Sequence, residues 1–181
     1  MQIRWGRPPR TRQQPGDLVQ IDTKGVRPAR GVVLKHFSAR DVVSRWDVVE
    51  VHARATSLAA AHFLDVLLER MPFRVAALQV DGGSEFAAEF ELACQQREVP
   101  LFVLPPRSPK LNGHVERAHR THHEEFYQET PESWSLPVLN RQLLAWEQTY
   151  NSIRPHQALD YRTPLEFLEH WKTKRKEPQC H

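Results

Sequence analysis

The sequence predicts a single mixed α/β domain, a five-stranded sheet flanked by helices, and three observations carry that reading. Three short strand-like segments, LVQID, GVVLKHF and RWDVVEVH, follow one another near the amino terminus. Residues 57–71 then switch to the three-and-four apolar spacing of a helix, and two further strand-like runs alternate with helical ones after it. With 181 residues, 40% hydrophobic and 26% charged, the chain has the composition of an ordinary globular domain with one core.

In chain order, residues 1–14 place Pro8 and Pro9 among arginines and glutamines, a basic lead-in that favours extended chain over a packed element. The folded core is expected over 15–170, followed by a basic tail over 171–181. LVQID and RWDVVEVH alternate as half-buried strands do, and GVVLKHF follows a glycine, so the three are expected as antiparallel neighbours. Ser57 can cap the first helix, whose apolar positions Ala60, Phe63, Leu64, Leu67, Leu68 and Met71 recur up to Pro72. RVAALQV is apolar on both faces and runs into Asp81-Gly82-Gly83, which is how a buried central strand ending in a loop reads.

Phe86, Phe90, Ala93 and Cys94 mark a second helix, and VPLFVL a fifth strand stopped by Pro105-Pro106. A helix beginning near Asn112 would carry Val115, Ala118, His122 and Phe126 along one stripe and Glu116, Arg120, His123 and Tyr127 along another. Leu139, Leu143, Trp146 and Tyr150 form the stripe of a further helix. Thr163-Pro164-Leu165-Glu166 combines an N-cap, a first-turn proline and a capping-box glutamate.

Charge and cysteine usage narrow the class. The net charge is only +3, but Arg4, Arg7, Arg10 and Arg12 crowd one end and Lys172, Lys174, Arg175 and Lys176 the other, a pattern compatible with a polyanionic partner. Cys94 and Cys180 make neither a disulfide framework nor a paired-thiolate metal motif, which suits a reducing cytoplasm. The longest apolar-leaning stretch, LAAAHFLDVLLERM, is interrupted by His62 and Asp65 and is too short to span a bilayer, so no membrane partner is expected.

The candidate chemistry rests on carboxylates. Cutting a phosphodiester without a covalent protein intermediate calls for metal ions that activate a hydroxyl and stabilise the leaving oxygen, and hard ions take oxygen ligands. Asp22 on the first strand, Asp81 just beyond the central strand and Glu116 on a helix able to cross their ends would supply them from three separate segments.

LVQIDTKG around Asp22, LQVDGGSEF around Asp81 and SPKLNGHVERAHRT around Glu116, with the closing segment YNSIRPHQALDYRTPLEF, resemble the DDE transposase and integrase catalytic core of retroviruses and bacterial insertion sequences. The resemblance runs from about Pro15 to about Leu168. It implies an RNase H-like fold and a polynucleotidyl transferase with Asp22, Asp81 and Glu116 as catalytic, metal-binding acids. It further implies two Mg²⁺ (or Mn²⁺) ions, DNA strand cleavage and strand transfer, and element ends and target DNA as partners.

Asp81 and Glu116 stand 35 positions apart, the usual spacing for such enzymes. Gly82 departs from the family by standing where asparagine is common, and His123 by standing where many relatives carry lysine or arginine. Contacts to DNA are expected from Lys110, Asn112, Arg117, Arg120 and His123, with Arg120, one helical turn beyond Glu116, able to take the role of the missing cation.

Other readings weigh less. His119 and His123 have the i, i+4 spacing of a helical zinc pair, but Arg120 stands where zinc-protease chemistry needs glutamate, so a polar helix surface near DNA is the expectation. Trp134, Trp146, Trp171 and Tyr150 are assigned to packing rather than base stacking. A nuclease of the same fold without joining activity, and an inactive transposase-derived DNA-binding or assembly module, are the rival functions. With Asp22 so close to Met1, a sequence-reading domain is expected upstream. Pairing two DNA ends calls for at least a dimer, acting on DNA in the cytoplasm at the nucleoid.

Overall fold

The computed structural model describes residues 4–5, 14–105, 113–128 and 135–176. Its strands are β1 (Arg4–Trp5), β2 (Val19–Val26), β3 (Leu34–Asp41), β4 (Asp47–His52), β5 (Leu78–Val80) and β6 (Leu101–Val103), in the spatial order β1-β6-β5-β2-β3-β4. The mixed five-stranded sheet anticipated from the sequence is β2 to β6. Within it β2, β3 and β4 are antiparallel neighbours, as expected, and β5 and β6 run parallel to β2. The lead-in departs from its reading as unpacked chain, because Arg4 and Trp5 pair in parallel with Phe102 and Val103 and add a sixth, two-residue strand. Two residues are too few to show any periodicity.

The parallel pairings follow from crossover helices. α1 (Ser57–Arg70) joins β4 to β5, and α2 (Glu89–Gln96) joins β5 to β6. The cap of α1 is one residue earlier than expected: Thr56, not Ser57, has extended backbone, and its Oγ1 accepts the Ala59 N–H at 3.1 Å. Ser57 instead donates its hydroxyl to Glu89 on α2. α3 (Gly113–His122) continues into one wider turn over His123–Tyr127, α4 covers Leu136–Ser152 and α5 covers Pro164–Lys176. The capping box before α5 forms as read: Thr163 N–H donates to Glu166 Oε2 at 2.8 Å, and Glu166 N–H to Thr163 Oγ1 at 3.1 Å. α5 runs past residue 170, so the proposed boundary between core and basic tail falls inside a helix.

The sheet divides the expected single core into layers. Ile21, Phe37, Val48, Leu78 and Leu101 pack with Phe63, Leu64 and Leu67 of α1 and Phe90 of α2 on one face. On the other, Val49 and Val51 pack with Phe126, Leu139 and Leu143, and Trp146 lies against them as its stripe predicted.

α4 also binds β4 through polar side chains. Asn140, Glu147 and Asn151, on one helical face, meet alternate backbone groups of the strand: Val51 N–H donates to Asn140 Oδ1 at 2.8 Å, Val49 N–H to Glu147 Oε2 at 2.9 Å, and Asp47 N–H to Asn151 Oδ1 at 2.9 Å. The amides of Asn140 and Asn151 donate back to Val51 O and Asp47 O at 2.9 and 2.8 Å. Position 16 requires a glycine: its φ is +87°, and a Cβ there would lie 2.2 Å from the Arg74 carbonyl oxygen.

Candidate active site

Asp22 sits near the middle of β2, where it pairs with Ser38 of β3 and shares with it the sheet face that α3 covers. Its Oδ1 accepts the Thr23 N–H at 2.8 Å, and its side chain is only 17% exposed. Asp81 directly follows β5. Because β5 and β2 pair in parallel with Gln20 opposite Gln79, continuing that register by two residues brings Asp81 level with Asp22.

The loop after β5 is shaped around Asp81. Its Oδ1 accepts the Gly83 N–H at 3.0 Å, and a Cβ on Gly83 would fall 2.8 Å from Glu85 Oε2 and 3.0 Å from Asp81 Oδ1. Gly83 therefore gives two carboxylates room to share one turn. A side chain at Gly82 would meet nothing within 4 Å, so the departure from the family's asparagine relieves no crowding.

Glu116 stands exposed in the first turn of α3, and the strand of Asp22 anchors that helix. Gln20, fully buried and two residues before Asp22, offers its Oε1 to the N–H groups of His114 at 3.2 Å and Val115 at 3.4 Å. These are donors that a helix start leaves unpaired. The residue that fixes the start of α3 thus shares a strand and a face with the first acid.

The electrostatics record the convergence. Asp22 is pushed up to about 7, first by burial, against the Thr23 hydrogen bond, and then by the negative charges of Asp81, Glu116 and Glu85. Asp81 and Glu116 are therefore both close enough for their charge to act on Asp22, and Glu85 joins them unanticipated. Their oxygens do not close to within 4.8 Å of one another. An excess of carboxylate charge around a half-buried aspartate is the donor chemistry that a hard divalent cation suits.

Beneath the acids lies a buried polar chain drawn from distant segments. His119 is 5% exposed, not on the polar outer face expected of it, whereas His122, 1% exposed, is buried with the stripe of Val115, Ala118 and Phe126 on which the sequence placed it. Asp47, held low at about 2 against its burial by Arg40 and His122, is ionised and accepts from Arg40 Nε at 2.6 Å. A charged Asp47 accepts a hydrogen bond from His122 Nε2–H at 2.9 Å, which leaves His122 Nδ1 to accept from His36 Nε2 at 2.9 Å and His36 Nδ1 to accept from the Tyr127 hydroxyl at 2.8 Å. Burial depresses both His36 and His122, so each ring is neutral and this direction is self-consistent. Tyr127 accordingly leaves the outer stripe of α3 assigned to it. Arg40 also donates to Tyr150, tying α4 to the same chain.

Of the residues expected to meet DNA, Arg117, Arg120 and His123 are exposed on α3 and the turn after it. Lys110, Asn112 and the aromatic Trp134 lie outside the described residues. His119 and His123 do not act as a pair, since the first points to Ser38 Oγ at 2.5 Å and the second is exposed. Lys24 and Arg27, which the sequence did not single out, line with His123 a cavity of about 290 Å³ beside the acids' face. Among the described residues no helix is long and apolar enough to cross a membrane.

Comparison with known proteins finds similarity to integrase core domains, the class indicated by the acid motifs and the closing segment. Residues 97–164 match the family model described as "Integrase core domain". The candidate integrase ORF3 of Spiroplasma virus SpV1-C74 is 23% identical over 171 residues, covering 83% of this chain and 47% of that protein. The chain thus spans about half the length of that relative. Among solved structures, the catalytic core domain of bovine immunodeficiency virus (BIV) integrase superposes with a TM-score of 0.67 at 25% identity over 89% of this chain and 99% of its own. The simian T-cell lymphotropic virus intasome chain gives 0.75 at 18% identity over 99% and 61%. The HTLV-2 integrase catalytic core in complex with magnesium gives 0.64 at 15% over 84% and 96%. These are integrase cores of the RNase H-like fold, the architecture expected for this chain.

Proposed function

We propose that this chain is the catalytic core of a DDE-type polynucleotidyl transferase that cuts DNA and joins the resulting end to target DNA, with Asp22, Asp81 and Glu116 holding two Mg²⁺ or Mn²⁺ ions. The observation that carries the reading is that Asp22, raised first by burial, also lies within reach of the charges of Asp81 and Glu116, acids supplied by separate segments. Bound ions of this kind activate an attacking hydroxyl and stabilise the departing oxygen.

The chain's own part is positioning. Gln20 sets where α3 begins and so where Glu116 stands relative to Asp22. The buried hydrogen-bonded chain from Tyr127 to Asp47 ties α3 and the turn after it to β3 and β4. Arg117, Arg120 and His123, with Lys24 nearby, present cations and donors to phosphate on the open side. A structural neighbour described as an intasome and another in a trimeric form support an assembly of at least two copies on paired DNA ends. The place of action is DNA in the cytoplasm.

A strand-transfer assay on a preprocessed DNA end, with and without Mg²⁺, tests the proposal. Metal-dependent joining that disappears in Asp81→Asn supports it. Hydrolysis without joining would reassign the chain to the nuclease class, and full activity in Asp81→Asn would place the site elsewhere.

A further inference from the structure

We infer that Glu50, His52 and His62 form a binding site for a transition-metal ion of the zinc class, separate from the three acids and on the opposite side of the sheet. The separation follows from strand pairing. Asp22 lies opposite Ser38, and Ser38 opposite Val49, so these share the face that α3 covers, whereas Glu50 pairs with Phe37 on the face packed by α1. His52 follows Glu50 by two residues and points the same way, and His62 reaches the pair from α1.

The donors have the spacing of a coordination shell. His52 Nε2 lies 2.9 Å and His62 Nδ1 3.6 Å from the same oxygen, Glu50 Oε2, and all three donor atoms fall within 4.8 Å of one another. A tetrahedral ion with metal–ligand bonds of about 2.0–2.1 Å sets its donors about 3.3 Å apart, a value the two observed distances bracket. Among the described residues no other group of three such side chains meets this spacing.

The surroundings favour a defined site over a loose surface cluster. Glu50 and His52 side chains are only 14% and 18% exposed, and the His52 ring stands edge-on to Phe37 with centroids 5.1 Å apart, which limits its rotation. His62 is 63% exposed and leaves one side of the cluster open to solvent. Three protein donors and one open position describe a site that a water, or a donor from another molecule, could complete. Two imidazoles and a carboxylate suit a borderline ion such as Zn²⁺ or Co²⁺, whereas Mg²⁺ demands oxygen ligands and would prefer the acids around Asp22. Without metal the same geometry serves as a hydrogen bond between His52 and Glu50, which the ion would replace.

Co²⁺ titration of the whole chain in excess Mg²⁺ tests the inference, because tetrahedral Co²⁺ absorbs in the visible and Mg²⁺ does not. One equivalent should produce the band, Zn²⁺ should displace it, and both His62→Ala and Glu50→Gln should abolish it with circular dichroism unchanged. Asp81→Asn should retain it, which keeps this result independent of the DNA chemistry proposed above. Absence of the band, or its survival in His62→Ala, overturns the site.

Discussion

His119 Nδ1 lies 3.5 Å from Asp22 Oδ2, and at neutral pH the contact is not an ion pair. Burial pushes His119 down to about 3 and Asp22 up to about 7, so the two groups favour their uncharged forms for the same reason. Ser38 and His119 share a 2.5 Å hydrogen bond at Nε2; if the hydroxyl donates, Nδ1–H is turned toward the aspartate. The contact orients the first acid without setting a positive charge against it, so the site where a cation would bind carries no competing cation from His119.

The raised aspartate makes metal-free stability fall with pH. Between about 4 and about 7 the folded form holds a proton that the unfolded chain has released, so stability is lost as pH rises through that window. Asp22→Asn keeps the acceptor for Thr23 and removes the charge. In EDTA it should therefore melt higher than the parent at pH 8, by an amount capped near 4 kcal/mol at about 1.4 kcal/mol per pH unit, and should converge with the parent near pH 4. Thermal melts of both proteins across pH check this, and a difference that does not change with pH would refute it.

Metal should act in the opposite sense. Mg²⁺ or Mn²⁺ binding only the folded chain raises the melting temperature by mass action, by about 2.7 kcal/mol at a hundredfold excess over Kd. Asp81→Asn is expected to lose most of that gain, while without metal it should melt no lower than the parent because one repelling charge has gone. Calorimetry with EDTA and with metal decides; an equal metal response in both proteins counts against the acid site.

Gln20 offers a test of helix placement. Gln20→Glu keeps an acceptor for the His114 and Val115 N–H groups and adds a charge that suits a helix start, whereas Gln20→Leu leaves both donors buried without it. The leucine variant should lose about 1–3 kcal/mol and a larger share of strand transfer than the glutamate variant. Equal activity in the two would show that Glu116 is placed by something else.

Glu147 is pushed up to about 7 by burial, although Val49 N–H and Arg70 both favour its charge. Glu147→Gln retains an oxygen for Val49 and should be neutral or stabilising at pH 8. Glu147→Leu strands the amide and should cost about 1–3 kcal/mol. Denaturant melts of the two variants at pH 8 and pH 5 separate these outcomes.

Arg120, exposed beyond Glu116, is expected to contact a phosphate. Arg120→Ala should weaken duplex binding uniformly across sequences and lower the salt slope by about 1. An unchanged slope in fluorescence anisotropy titrations would remove it from the DNA face.

Much of this was legible in the sequence because periodicity and punctuation are local. RWDVVEVH forms a strand over Asp47–His52, the apolar run before Asp81 does so over its last three residues, Leu78–Val80, and the Thr163–Glu166 capping box stands as its residues indicate. What escaped depends on contacts between distant segments. Nothing local marks Gln20 as the anchor of a helix more than ninety residues later, and His119 and His122 look polar until Ser38, His36 and Asp47 arrive from other strands. Thr56 competed with Ser57 for one cap because adjacent hydroxyl residues carry the same local signal, and backbone conformation decided between them. Glu85 was passed over because its nearness to Asp22 arises from a turn that Gly83 permits.

The helix α4 ends the sheet at β4 by imitating a neighbouring strand. Its Asn140, Glu147 and Asn151 accept the outward N–H groups of Val51, Val49 and Asp47, and the two asparagines return donors to the carbonyls. An outermost strand with open hydrogen-bonding groups is a template on which a second chain can polymerise, and here that template is already occupied. A second copy therefore cannot extend this sheet from β4 without first displacing three side chains. A contact between copies on this side of the domain would have to use helix faces and loops instead, where association can be reversible.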